Sequence, residues 1–326
     1  MTDKRYVLTI ATGKKLYLDM AVTLARSFYL WHHDSSITFQ LVTDLPDDHI
    51  AADIKPKIEV INVKPGELGE GFSPKLHLDK LAGNGQTLFV DSDCIIYSNL
   101  SPVFDKFKGH SVSVTGNYIS NGEWFGDIAA VCRRFNVPHL PKFNGGIYYL
   151  ENGPAAVKVY QTARDLEKQY DEIGFVRLRN RPNDEVLMAL AMELNGQKPI
   201  PDDGSILAEF VNFKSGIKSR LLKGQAELYN KPGHPLYQQQ WHLTRAQPAI
   251  VHYLGHHNQK IPYIKESLLL SYLFKNKLPV WLARLITFFR VTIPFKTVTV
   301  LKNIFRPVYH SLFGARAIKK SERIID

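Results

Sequence analysis

Cysteine is scarce in this chain of 326 residues, where Cys94 and Cys132 are the only two. So few cannot build a disulfide framework, and neither stands in a spacing that binds zinc, so a reducing, cytoplasmic compartment is expected. Long apolar runs are missing too. No stretch reaches the roughly 18 uncharged apolar residues that a spanning helix needs. Met1 to Arg5 is polar and leads directly into Tyr6-Val7-Leu8-Thr9-Ile10, which reads as a strand and not as a leader's apolar core. A protein that does not cross a membrane is expected. Internal repeats, low-complexity linkers and the glycine-rich phosphate-loop consensus are absent as well.

What is present in excess is positive charge, with 41 Lys and Arg against 31 Asp and Glu. It is unevenly placed. From Lys275 onward there are 11 basic residues against Glu322 and Asp326, whereas the rest holds 30 basic and 29 acidic residues. The body is nearly neutral and the tail is a cation. Within that tail, Trp281-Leu282-Ala283-Arg284-Leu285-Ile286-Thr287-Phe288-Phe289-Arg290, then Phe295-Lys296 and Leu301-Lys302-Asn303-Ile304-Phe305-Arg306, alternate apolar and basic residues. The pattern suits peripheral attachment to an anionic lipid surface better than phosphate tracking, so no nucleic-acid partner is expected. Pro279, Pro294 and Pro307 should break it into short pieces. The alternative is that these apolar positions pack on the body or on a second subunit. A hydrophobic content of 44% and this length allow one main α/β domain over 1–268, with a basic, amphipathic extension over 269–326.

The body reads as successive β/α units. Residues 6–11, 37–42 and 58–63 have strand character, and Leu16, Met20, Leu24 and Phe28 recur at helical spacing between the first two. Ser73-Pro74 is expected to cap and open a short helix, with Leu76 and Leu81 inward and Gly83-Asn84-Gly85 ending it. Thr87-Leu88-Phe89-Val90 is a continuous apolar run, as in a strand covered on both faces. Residues 111–118 and 146–150 look like further strands, with loops over 117–127 and 138–142. Asn183 is placed to cap a helix from Asp184 to about Leu194, stopped by Asn195-Gly196. A mixed, mostly parallel sheet is the expected core.

Asp91-Ser92-Asp93 closes the apolar run, and ligands of open α/β sheets bind at the carboxyl ends of strands. Side chains two apart on an extended segment share a side, so both carboxylates can reach one divalent cation. The alternative is an ordinary turn, since Asp and Ser favour turns. The flanking apolar strand and Cys94-Ile95-Ile96 favour the cation, because uncompensated charges at the edge of a core are costly.

Ser73-Pro74-Lys75-Leu76-His77, Leu88 through Ile96, and Asn99-Leu100-Ser101-Pro102-Val103-Phe104 resemble glycosyltransferase family 8, in its glycogenin-like and bacterial lipopolysaccharide glycosyltransferase-like branches. Ala11-Thr12-Gly13 with Tyr17, Phe143-Asn144-Gly145-Gly146-Ile147, and Val251-His252-Tyr253-Leu254-Gly255 with Lys260 agree in order, so the resemblance spans roughly residues 6 to 265. It implies a GT-A fold, a nucleotide-sugar donor that is usually a UDP-hexose, manganese dependence with magnesium as the substitute, and retention of anomeric configuration. It places Asp91, Asp93 and His252 on the metal, a set that suits manganese. Lys75 and Lys260 fall on positions facing the donor phosphates, and Ala11, Thr12 and Tyr17 on the nucleoside site. Ser92, Asn144, Gly145 and Gly255 fall on further donor contacts. Asp184 and Glu185 match the family's Asp-Gln-x-x-Leu-Asn segment, with Glu185 where the family has glutamine. A carboxylate there can act as a nucleophile or stabilise an oxocarbenium-like transition state, and an amide does either less well. The glycine-to-lysine spacing also departs, because Gly255 and Lys260 enclose four residues where the family usually has two.

The acceptor implied is a glycan or glycolipid, and the oligomeric state is left open. Two other functions fit the same elements: a nucleotidyltransferase, and a sugar-nucleotide-binding module without turnover. The first wants a glycine-rich phosphate loop after the first strand, and Thr12-Gly13-Lys14-Lys15 has no second glycine. The second would not need Asp91, Asp93 and His252 together.

Overall fold

A computed structural model describes residues 4–33 and 36–314. The chain divides into two compact units, Met1–His257 and Asn258–Asp326.

In the first unit, β1 (Arg5–Ile10) leads into α1 (Lys15–Trp31), followed by β2 (Ile37–Thr43) and β3 (Glu59–Asn62). The helix forms because Leu18, Ala21, Leu24, Ala25 and Phe28 make one buried face. Leu16, expected on that face, is instead 52% exposed on the first turn of α1, where Lys15 and Tyr17 are exposed too. Ser73 does not cap a helix. Its hydroxyl donates to the Glu167 carboxylate, and the segment begins as a 3-10 turn over Ser73–His77 before α2 (Leu78–Leu81). The Thr87–Val90 run lies in β4 (Gln86–Val90), and β5 (Cys94–Ile96) and α3 (Ser101–Phe107) follow it.

The single strand expected over 111–118 is two, β6 (Val112–Ser113) and β7 (Gly116–Ile119), parted where Thr115 bridges to Ile200. After α4 (Ile128–Phe135), the stretch expected as a loop over 138–142 contributes β8 (Leu140–Phe143), which pairs antiparallel with β7 and sets Pro141 opposite Tyr118. In a two-stranded sheet both strands are edges, so proline's missing N–H is tolerated. Then come β9 (Ile147–Glu151), α5 (Pro154–Glu167), α6 (Tyr170–Ile173) and α7 (Asp184–Leu194), the last capped by Asn183, whose side chain accepts from Glu185 N and Val186 N. Five short strands complete the unit: β10 (Leu207–Glu209), β11 (Gly216–Arg220), β12 (Gln225–Tyr229), β13 (Arg245–Ala246) and β14 (Ile250–His252).

The main sheet has the order β3-β2-β1-β4-β9-β6, parallel from β3 to β4 and antiparallel at β9 and β6. Successive residues of β4 face opposite cores. Leu88 and Val90 pack with Val7, Phe39, Phe28 and Phe104, whereas Phe89 packs with Leu8, Tyr148, Val159 and Val186. Helices thus cover both faces, which is why β4 is apolar throughout. The architecture is α/β with a mixed, mostly parallel sheet, as expected.

In the second unit, α8 (Tyr263–Phe274) packs on α9 (Val280–Thr287), which buries Ala283 and Thr287. A π-helical turn over Phe288–Thr292 then continues into α10 (Ile293–Phe313). The expected breaks at Pro294 and Pro307 do not occur. The π turn shifts the register so that Pro294 occupies the first turn of α10, where a missing N–H is harmless. Pro307 sits inside α10 and removes one hydrogen bond without ending it. No described helix is long and apolar enough to cross a membrane. Residues 315–326 of the expected extension lie outside the described residues.

Candidate active site

The carboxyl end of β4 is where two sheets meet. Cys94 N–H donates to Asp91 O at 3.0 Å, a tight turn that passes the chain from β4 in the main sheet to β5 in a small sheet of order β10-β14-β5. There β5 pairs antiparallel with β14 and puts His252 opposite Cys94, while Tyr253 N–H donates to Asp93 O at 3.1 Å. The pairing brings a histidine from far along the chain beside Asp93. On the other side β9 pairs with β4, so Asn144-Gly145-Gly146 adjoins the same turn and Gly146 O accepts the Asp91 N–H at 2.9 Å. The glycines are needed for close approach: a Cβ at Gly146 would come within 2.6 Å of His252 Nδ1, and one at Gly145 within 2.9 Å of Asp184 Oδ2.

The histidine's hydrogen bonds define what its other nitrogen can do. Asn144 Oδ1 accepts from Gly146 N–H at 3.0 Å, which identifies it as the oxygen, and it lies 2.6 Å from His252 Nδ1. Nδ1 therefore carries the proton and donates, and in a neutral imidazole Nε2 is left with a lone pair. That lone pair is 2.9 Å from Asp93 Oδ1 and 3.9 Å from Asp91 Oδ2. Asp93 Oδ1 is itself buried without a hydrogen bond of acceptable geometry. Nε2 and Asp93 Oδ1 are two acceptors facing each other, which requires a positive charge, either a second proton on the imidazole or a cation. Burial opposes a charged imidazole, but Asp93 beside it outweighs burial and pushes the His252 pKa up. Burial likewise raises Asp93, and the histidine more than reverses it. The residues fit a divalent metal.

Cys94 lies within the same cluster, its sulfur and the nearest atoms of Asp93 and His252 all within 4.8 Å of one another. Burial and then the charges of Asp93 and Asp91 push its thiol pKa well up, so without a cation beside it Cys94 stays protonated.

Behind this turn stands Lys75. Its ammonium is 2.8 Å from Asp91 Oδ2, 2.9 Å from Gly145 O and 3.7 Å from Asp184 Oδ2. Burial would lower its pKa, but Asp184 and Asp91 more than restore it and keep the ammonium charged. Lys75 is shared unequally, and at the more distant Asp184 burial wins and raises the carboxyl pKa. Tyr148 donates its hydroxyl to Asp184 Oδ2 at 2.6 Å. Glu185 accepts the Gly145 N–H at 2.9 Å through Oε1. The cap at Asn183 places both acids on the first turn of α7, facing the glycine turn.

Lys75, Asp91, Asp93, Asn144, Gly145, Asp184, Glu185 and His252 are thus brought together. Ser92 is buried between the two acids, and its N–H donates to Asp91 Oδ1. Ala11 and Thr12 follow β1, the strand beside β4, and Tyr17 is 41% exposed on the first turn of α1. Gly255 lies three residues beyond His252 with φ +63. Lys260 belongs to the second unit. Two roles were not foreseen: Asn144 as the partner of His252, and Tyr148 as the partner of Asp184. Both arise from pairing across strands and carry no local sequence signal.

No protein-family model matches the chain, and no curated protein matches it in sequence. Solved structures do. A galactosyltransferase LgtC in complex with donor and acceptor sugar analogues aligns with a TM-score of 0.51 at 14% identity, over 77% of this chain and 87% of that one. An active-site mutant of LgtC with glutamate in place of glutamine gives 0.50 at 15% identity over the same shares. The glycosyltransferase GlyE of Streptococcus pneumoniae TIGR4 gives 0.51 at 15% identity, over 84% of this chain and 63% of that one. The chain has a GT-A fold. What it does must be argued from the site.

Proposed function

We propose that the chain is a metal-dependent glycosyltransferase that moves a hexose from a nucleotide-sugar, a UDP-sugar, to a glycan or glycolipid acceptor with retention. The observation that carries the reading is the meeting of His252 Nε2 and Asp93 Oδ1 at 2.9 Å at a strand end, with Asp91 Oδ2 3.9 Å from the same nitrogen. Asp91, Asp93 and His252 would hold manganese, or magnesium in its place. When bound, such an ion supplies positive charge against a diphosphate leaving group. Lys75 adds fixed charge beside it and needs no reorganisation during the reaction, because Asp91, Asp184 and Gly145 O already hold it. Asp184 is buried, takes the Tyr148 hydroxyl, and acts by positioning Lys75 and the start of α7. Glu185 is the carboxylate left to face the anomeric carbon, where negative charge stabilises an oxocarbenium-like transition state.

The second unit supports a place of action. All of α10 is exposed, with Val300, Leu301, Ile304, Phe305, Val308 and Leu312 on one side and Lys302, Arg306 and His310 on the other. This helix lies on an anionic membrane surface at the cytoplasmic face, where a glycolipid acceptor is at hand.

The test is a panel of nucleotide-sugars with manganese, read by hydrolysis and by thermal shift. The reading expects turnover and stabilisation with at least one UDP-sugar, and neither with any donor would end it.

A further inference from the structure

Asp44 takes no part in the site described above. It follows β2 at its carboxyl end, one strand from β1, and its Oδ1 accepts the Gly13 N–H at 2.8 Å. This bond is one of three that tie the turn after β1 to the end of β2. Ala11 N–H donates to Val42 O, and the Thr43 hydroxyl donates to Ala11 O, each at 2.8 Å. Gly13 takes φ +79, and no heavy atom lies within 4 Å of where its Cβ would stand. The space over the turn is open. Three and four residues on, Leu16 and Tyr17 are 52% and 41% exposed, which leaves apolar and aromatic surface beside an anchored carboxylate. The second carboxylate oxygen of Asp44 has no hydrogen-bond or ion-pair partner among the described residues.

A carboxylate only accepts hydrogen bonds, so toward a nucleoside its open oxygen can take an N–H or an O–H. In dinucleotide-binding α/β sheets an acidic residue beyond the first β/α turn holds a ribose hydroxyl from the same edge. We infer that Asp44 reads the nucleoside of the donor, its open oxygen accepting from the imino N–H of uracil or from a ribose hydroxyl. The inference rests on the proposed transfer from a nucleotide-sugar. The bond to Gly13 holds the carboxylate in position, so the group is oriented before the nucleoside arrives.

Asp44→Asn separates reading from clamping. The amide oxygen can still accept the Gly13 N–H, while an NH₂ donor replaces the open acceptor. Calorimetric titration of the full chain with UDP, 2′-deoxy-UDP and CDP, manganese present, should show UDP binding weakened about tenfold or more in the variant. If the base is read, CDP gains on UDP in the variant, because N3 of cytosine accepts where N3–H of uracil donates. If ribose is read, 2′-deoxy-UDP is the weaker ligand of the wild type and loses that disadvantage in the variant. UDP affinity and both ratios unchanged in Asp44→Asn would overturn the inference and leave the transfer reading standing. A wild type that binds none of the three nucleotides would overturn both.

Discussion

The acidic end of β4 and the basic face of α10 are opposites in more than sign. In the first, Asp91, Asp93, Asp184 and Glu185 converge with Lys75 and His252 in a largely buried space, and nearly every polar atom has a partner inside the protein. In the second, Lys296, Lys302 and Arg306 stand in solvent beside bare phenylalanines, with Phe305 60% and Phe313 72% exposed. Enclosed charge must be compensated where it stands, because desolvation is expensive. Exposed charge beside apolar surface can wait for a partner to arrive. The first region therefore has a defined geometry, and the second only a surface.

The comparison can be attacked from both ends. At the enclosed end, Glu185→Gln should lower kcat by roughly 10²–10³-fold with KM for the donor little changed, since a charge is removed and shape is kept. Steady-state kinetics with the preferred donor read this, and a KM effect alone would return Glu185 to the role of a helix-end acid. At the exposed end, reversing Lys296, Lys302 and Arg306 to Glu should weaken binding to anionic vesicles by about 100-fold or more, at about 1 kcal/mol for each basic residue near the surface. Flotation at low salt measures this, and undiminished binding would mean that α10 is not the contact.

Smaller effects sharpen the picture. Asn144→Ala removes the acceptor that fixes the His252 tautomer and should weaken manganese about 10–100-fold, a loss measured by titration of the metal alone. The smallest effect concerns pH. His32 is buried against Phe28, accepts the Leu100 N–H through Nε2, and contacts Phe28 O through Nδ1, so it is neutral in the fold. Burial holds its pKa below 6.5. The unfolded chain takes up the proton near pH 6.5 and the native chain does not, so stability is complete above that pH and falls as pH drops toward the folded pKa. The contribution to the slope is at most about 1.4 kcal/mol per pH unit. Melting curves at pH 7.5 and 5.5 should show a smaller drop for His32→Gln than for the wild type.

Local signals were legible and distant pairings were not. Thr87–Val90 and Cys94–Ile96 show their burial in an unbroken apolar run, and Asn183 marks the start of α7 to the residue, because both depend on neighbours in sequence. The tripeptide between those strands likewise read correctly as the closing of a strand. That His252 meets Asp93 depends on β14 pairing with β5, which no local pattern encodes. Prolines misled three times: Pro141 masked β8, tolerated because both strands of that sheet are edges, Pro294 was absorbed by a π turn, and Pro307 sits inside α10 without ending it. Ser73 had the right residue type for a cap, but the backbone there is 3-10, and the hydroxyl turned to Glu167.

The central claim is that Asp91, Asp93 and His252 form one cation site. Titrating manganese into the wild type and into Asp93→Asn, with free ion followed by electron paramagnetic resonance, tests it most directly. The account predicts one manganese bound per wild-type chain in the presence of UDP and an affinity lower by about 100-fold or more in Asp93→Asn. Equal binding by the two proteins, or none by the wild type, would contradict it.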